Sequence, residues 1–258
     1  MPNDRERERA KRRLAKRGAT AVEQQDRRKR KQQVLGAVIT MALVLAGVFA
    51  LSRLVDPPAA PAAAAGANPC PAPTSTPAAA KSFPKAPPKT LAEGKVWDAT
   101  LTTSCGPITL ELYGDKAPQT VSSFIFLARE GFYAGSPCHR LTSGGTLKVL
   151  QCGDPTGSGT GGPGYTYGIE NVPQDGAFPT GTLAMARGTD VNSNGSQFFI
   201  THGDSTLPSA GGGYSIFGKV TGGLDVLKKV ADGGAADGSP DGAPARPISI
   251  EAVQVTPR

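Results

Sequence analysis

Hydrophobic and polar positions divide the chain into three regimes. Residues 34–51 are uncharged and almost entirely apolar, eighteen in a row, which as a helix would span about 27 Å, close to the thickness of a bilayer's hydrocarbon core. Residues 56–92 show no periodicity. From residue 97 onward, short alternating runs take over. Trp97 to Thr103 and Ile108 to Tyr113 alternate in period two on either side of Cys105-Gly106-Pro107, which predicts a β-hairpin with one buried face. Val121, Phe124, Leu127 and Ala128 follow at helical spacing behind Pro118 and ahead of Gly131, which predicts a helix with proline in its first turn and a glycine stop. Residues 138–141 and 147–152 predict a second hairpin. Further strands are expected over 182–186, 197–200, 215–220 and 248–255, with a short helix over 224–230. In Gln197-Phe198-Phe199-Ile200, side chains alternate, so Gln197 and Phe199 share one face and Phe198 takes the other. An amide beside a phenyl ring suits a peptide ligand, the amide for backbone and the ring for a flat apolar side chain.

Charge gives the apolar run its direction. Thirteen Lys/Arg and five acids fall within residues 1–33, so this segment carries +8 and the remainder −1 of the chain's +7. The positive-inside rule then puts the N-terminus in the cytoplasm and everything after residue 55 outside. The reading is an uncleaved signal-anchor helix over 34–55 with a basic cytoplasmic tail over 1–33. A cleaved signal peptide, with Ala62-Ala63-Ala64 as its site, is the alternative. The domain after the linker is near neutral, so its charge does not point to nucleic acid. Ten prolines between Pro57 and Pro88 make residues 56–92 a disordered, semi-rigid spacer.

The chain has 258 residues with 33 glycines and 23 prolines, enough for one loop-rich β domain, placed at 93–258, plus these appendages. There are four cysteines and two histidines, and no C-x-x-C, so no metal site is expected. An extracytoplasmic domain favours disulfides. The expected pairs are Cys70 with Cys105, pinning the spacer to the domain, and Cys138 with Cys152, across the open end of the second hairpin. The glycine-rich stretch over 153–168 lacks the Gly-Lys-Ser/Thr of a phosphate loop and reads as an ordered loop beside a groove.

Six motifs in order, His139-Arg140, Gln151-Cys152-Gly153-Asp154, Gly159-Thr160-Gly161-Gly162, Met185-Ala186, Asn194-Gly195-Ser196-Gln197-Phe198-Phe199 and Phe217-Gly218-Lys219-Val220, resemble the cyclophilin family of peptidyl-prolyl cis/trans isomerases. The resemblance spans roughly residues 97–255. It implies a mainly β fold, a closed antiparallel eight-stranded barrel with two capping helices, here preceded by a transmembrane helix and a disordered linker. It implies isomerisation of X-Pro bonds without a cofactor. Arg140 matches the family's catalytic arginine and Gln151 the glutamine that orients it. Phe199, Val149, Leu207 and Tyr214 match walls of the proline pocket. Ala186 and Arg187 match the strand that pairs with substrate backbone, with Gln197 and Gly159 beside it. Three departures stand out. The segment between Arg140 and Gln151 is about three residues longer than usual. Lys148 falls where a pocket phenylalanine is common, unless Leu147 replaces it by a register shift. Thr206 falls where many members carry tryptophan, which would weaken cyclosporin binding. The expected activity is therefore a membrane-anchored, monomeric isomerase acting on proline-containing, unfolded or exported polypeptides outside the cytoplasm, with no nucleic-acid role. A non-catalytic module that grips proline segments is the alternative.

Overall fold

The structure, a computed structural model, describes residues 70–71 and 81–258. The expected basic tail, transmembrane helix and most of the expected spacer lie outside the described residues. Among the described residues no helix is long and apolar enough to cross a membrane.

Strands β1 (Val96–Thr103) and β2 (Gly106–Tyr113) form the first predicted hairpin. Trp97 faces Leu112, Ala99 faces Leu110 and Leu101 faces Ile108, and all six are buried, as period-two alternation requires. Helix α1 (Pro118–Arg129) begins with the predicted proline. The Ala117 methyl group cannot cap it, and a carboxylate from far along the chain does so instead. Glu170 accepts from the Gln119 amide at 3.0 Å, the Thr120 amide at 2.8 Å and the Thr120 hydroxyl at 2.9 Å. An anion at a helix N-terminus satisfies orphan donors and opposes the helix dipole.

The remaining strands are β3 (Ser136–Pro137), β4 (Arg140–Thr142), β5 (Val149–Cys152), β6 (Ala177–Phe178), β7 (Thr182–Met185), β8 (Phe198–Thr201), β9 (Ser205–Thr206), β10 (Ile216–Gly222), β11 (Asp241–Gly242) and β12 (Ser249–Pro257), with helix α2 (Leu224–Ala231) between β10 and β11. Ten strands join in the order β11-β4-β5-β8-β7-β10-β2-β1-β12-β3, and β6 pairs β9 separately. Every ladder is antiparallel. Strand β3 ends the order on one side and β4 lies next to the other end, yet only Cys138 and His139 separate them along the chain. The sheet therefore curls strongly. Among the described residues no ladder joins β3 to β4, so the expected closed eight-stranded barrel is seen as a curled ten-stranded sheet. Short edge pairings such as β11 with β4 lie in turn-rich sequence and carry no periodic signal.

Alternation splits the apolar residues into two clusters. Phe198 enters the main core with Phe124 of α1, Tyr133 and Phe217 of β10, at ring separations of 5.8, 5.9 and 6.4 Å. Phe199 faces the other way, into a smaller cluster with Val149, Phe178 and Ala184.

Residues 81–92, assigned to the spacer by their prolines, are folded onto the domain. Phe83 packs edge-on against Phe126 at 4.8 Å, and its amide donates to the Pro163 carbonyl at 2.8 Å. Gln119 donates to the Pro87 carbonyl at 2.9 Å, and the Ser122 hydroxyl donates to the Lys89 carbonyl at 2.9 Å. The last twelve residues of the expected linker thus pack against the residues that follow them. Composition gives no sign of this packing, because proline disfavours regular structure but not packing in an extended form. Disulfides join Cys70 to Cys105 and Cys138 to Cys152, the two pairs expected.

Candidate active site

Register lines up the chemistry. Arg140 of β4 is opposite Gln151 of β5, Gln151 is opposite Phe199 of β8, Phe199 is opposite Ala184 of β7, and Ala184 is opposite Ile216 of β10. Residues directly opposite in antiparallel strands point to the same face. These five side chains therefore form one row on the face away from the main core, with the Arg140 backbone two strands, about 10 Å, from that of Phe199. The neighbouring row, Leu141, Leu150, Ile200 and Leu183, is buried in the core. It fixes the register, because a one-residue slip would expose it.

Phe199 is the centre of an apolar slot. Phe178 lies 5.9 Å from its ring and Tyr214 stands edge-on at 6.0 Å. Val149 and Ala184 complete the buried part, and Leu147, Ala186, Leu207, Tyr214 and Ile216 pack around it half-buried. The structure thus brings together the predicted Phe199, Val149, Leu207, Tyr214 and Ala186. Leu147, two residues before Val149 and on its face, supplies the wall that Lys148 cannot. Lys148 runs instead over Gly203, with its amide held by the Ser205 hydroxyl at 3.0 Å. The slot is not plugged by a charge, and the case for a non-catalytic module built on that lysine loses its basis. Lys148→Ala is expected to change kcat/KM for a proline peptide by less than about 2-fold, as surface substitutions away from a site do; a larger drop in a steady-state assay would show the lysine reaching the slot.

Beside the slot, and sharing Ala186 with it, is a cavity of about 690 Å³ bounded by Gln151, Gln197 and the glycine-rich loop. A chain of amides runs along the border. Arg140 Nη1 donates to Gln151 Oε1 at 3.1 Å, Gln151 Nε2 donates to Gln197 Oε1 at 2.9 Å, and Gln197 Nε2 donates to the carbonyls of Gly159 and Gly161 at 3.0 and 2.9 Å. This fixes which end of each amide faces which neighbour. The Gln197 amide group is held by the loop, and the Gly159 amide donates to Asp154 at 2.7 Å. Both residues frame the groove.

The loop winds round one buried carboxylate. Asp154 accepts from the amides of Thr156, Gly159 and Gly161 at 2.8, 2.7 and 3.0 Å. Burial pushes its pKa up, but the bonds from the Thr156 hydroxyl and from the three amides outweigh that and hold it below the usual carboxylate range. Glycine is required at position 153, where φ is +88° and a Cβ would lie 2.3 Å from the Ser196 carbonyl.

The Arg187 side chain turns inward, onto the protein's own backbone. Its guanidinium donates to the carbonyls of Gly213 at 2.7 Å, Gly211 at 2.6 Å and Gly188 at 2.9 Å, and lies 5.0 Å over the Tyr214 ring. It staples the 209–214 segment and so sets one wall of the slot, leaving its donors engaged within the protein. Thr206 is exposed on β9, outside the slot cluster.

At the other end of the row, Arg140 meets a carboxylate that sequence reading missed. Nε and Nη2 donate to the two oxygens of Asp241, each at 2.7 Å. Hydrogen bonding from Arg140 lowers the Asp241 pKa, and the same bonds raise that of Arg140, so the pair stays ionised through the neutral range. His139, next in sequence, is the opposite case: burial depresses its pKa, and neither ring nitrogen has a hydrogen-bond partner. Asp241 sits in Asp-Gly-Ser-Pro-Asp-Gly, a run that signals only turns. Phe178 sits between Ala177 and Pro179 in a two-residue strand, too short to show a period.

An arginine held by a carboxylate and an amide, an apolar slot and a glycine-framed cavity on one curled antiparallel sheet define a protein with a groove suited to a peptide. The family described as cyclophilin type peptidyl-prolyl cis-trans isomerase matches residues 99–255. A probable peptidyl-prolyl cis-trans isomerase B of Mycobacterium tuberculosis is 42% identical over 215 residues, covering 76% of this chain and 67% of that protein. Peptidyl-prolyl cis-trans isomerase B of Bacillus subtilis is 45% identical over 126 residues, covering 49% and 84%. A crystal structure of a cyclophilin type isomerase from Cryptosporidium parvum superposes with a TM-score of 0.53 at 29% identity, covering 62% of this chain and 98% of that one. The chain belongs to the cyclophilin-type peptidyl-prolyl cis-trans isomerases. It is an enzyme that interconverts the cis and trans forms of X-Pro bonds.

Proposed function

We propose that Arg140 is the catalytic group of this isomerase, that Gln151 orients it, and that the substrate proline ring enters the slot around Phe199. The X-Pro amide resists rotation by about 18–20 kcal/mol because of its partial double bond. In the twisted state the prolyl nitrogen regains a lone pair, and a fixed N–H donor stabilises it more than it does the planar amide. That difference is what accelerates the reaction. No bond to the protein forms and no proton is transferred. Val149, Phe199, Leu207 and Tyr214 hold the ring, so that rotation moves the rest of the peptide. The 690 Å³ cavity beyond Ala186 receives residues preceding the proline, with Gln197, Gly159 and Arg187 as its frame. The row Arg140, Gln151, Phe199, Ala184 carries this reading. A second structure of the Cryptosporidium parvum enzyme, 30% identical to this chain, was determined in the presence of the dipeptide Ala-Pro, which supports a proline-peptide ligand for the slot. The test is cis/trans exchange of a proline test peptide, followed on the purified chain and on Arg140 variants.

The residues between β3 and β4 are read here as the seam that closes the curled sheet into a barrel, the two strands acting as one interrupted strand. The setting is read from residues 1–55: a monomeric domain held on the outer side of the cytoplasmic membrane by a single-pass anchor, acting on exported polypeptides as they fold. Two disulfides suit an oxidising compartment. Protease added to intact, wall-stripped cells is expected to digest the domain. Protection until the cells are lysed would overturn this topology.

A further inference from the structure

Arg140 is fixed from two sides, and only one of them belongs to the motifs that mark the site. Its guanidinium offers five N–H bonds in one plane. Asp241 takes the Nε–H and one on Nη2, and Gln151 takes one on Nη1. One N–H on each Nη nitrogen is left. Two parallel bonds to a carboxylate define the plane of a guanidinium, which a single bond from Gln151 cannot do.

Asp241 is itself held in place. It pairs with Thr142 across the β11–β4 ladder, and Gly242 pairs with Leu141, which puts Asp241 on the same face as Arg140, two residues along. The Ser239 hydroxyl donates to the Asp241 carbonyl at 2.7 Å, and the Ser143 amide donates to the Pro240 carbonyl at 2.9 Å. The Arg140 side chain is 39% exposed, so packing alone does not restrict its long stem.

We propose that Asp241 is a positioning residue for the isomerase reaction: its carboxylate fixes the plane of the Arg140 guanidinium so that the free N–H bonds meet the twisted amide. The inference rests on the reading of Arg140 as the catalytic group. The carboxylate also cancels the charge of Arg140, so the site acts through directed donors and gains little from a net positive charge.

The test compares Asp241→Asn, Asp241→Glu and Arg140→Ala in the full chain with the wild type. Asp241→Asn removes the charge and one acceptor at constant size. It is expected to lower kcat at least about 10-fold, since small misplacements of a reacting group cost this much or more, with KM changed less than about 2-fold. Asp241→Glu retains a carboxylate and is expected to restore most of the lost kcat. The Arg140 Nε–H resonance, sharp and slow to exchange in the wild type, is expected to broaden in Asp241→Asn and return in Asp241→Glu. Wild-type kcat in Asp241→Asn, with Arg140→Ala slow, would overturn the role of Asp241 alone. Wild-type kcat in Arg140→Ala would overturn the reading of Arg140 and this inference with it.

Discussion

Arg140→Ala is expected to lower kcat/KM for cis/trans exchange of a proline peptide about 100- to 1000-fold, the loss found when a positioned donor to developing charge is removed. Most of the fall should be in kcat, because the slot around Phe199 is untouched and continues to bind the ring. Stability should change little: the ion pair with Asp241 is half-exposed, with side-chain exposures of 39% and 51%, and such pairs contribute about 0–1 kcal/mol. Arg140→Lys keeps the charge but not the planar fork, and should recover little of the rate. Exchange spectroscopy or a protease-coupled assay reads the rates of both variants, and thermal unfolding reads their stability. A rate equal to wild type in Arg140→Ala would show that burial in the slot alone drives rotation.

Removing the Cys138–Cys152 bridge is expected to cost about 3 kcal/mol, the entropy of closing a loop of this size in the unfolded chain, here 14 residues. For a domain of this length that lowers the thermal midpoint by roughly 6–12 °C. The bridge also has a local effect. Cys138 lies two residues before Arg140 on the chain, and Cys152 directly follows Gln151, so the bond ties together the approaches to β4 and β5. The Cys138→Ala, Cys152→Ala double variant should therefore lose rate at temperatures where it is still folded. Loss of Cys70–Cys105, at the β1–β2 turn, should alter stability without altering rate. Thermal unfolding with and without a dithiol reductant, alongside the exchange assay, checks both. Unchanged melting of the reduced protein would show that the bond adds nothing to the fold.

Strand alternation made the division of Phe198 and Phe199 between core and slot readable in advance, since it depends only on backbone geometry. The first hairpin and α1 were readable for the same reason: their periods are long enough to register. Motif order supplied Arg140, Gln151, Val149, Leu207 and Tyr214. What escaped has a common cause in contacts between segments distant in sequence. Glu170 caps a helix some fifty residues away. Asp241 reaches Arg140 across a two-residue ladder. Phe178 enters the slot from a strand with no period. The side-chain donors of Arg187 and Gln197 reach carbonyls of loops that nothing in the local sequence places there. Lys148 shows the reverse: an alarming residue in the alignment of motifs, harmless once alternation turns it away from Leu147 and Val149.

The Cys70–Cys105 bond encloses the 35-residue separation between its ends, including the segment where Phe83 lies on Phe126. Any tension transmitted along the polypeptide from its N-terminal side reaches residue 70 and passes through sulfur to the turn at Cys105. The chain between the two cysteines is bypassed and carries none of that load. A pulling experiment on the oxidised domain should begin its unravelling at the β1–β2 turn, and only after reduction should it peel Phe83 from the helix first.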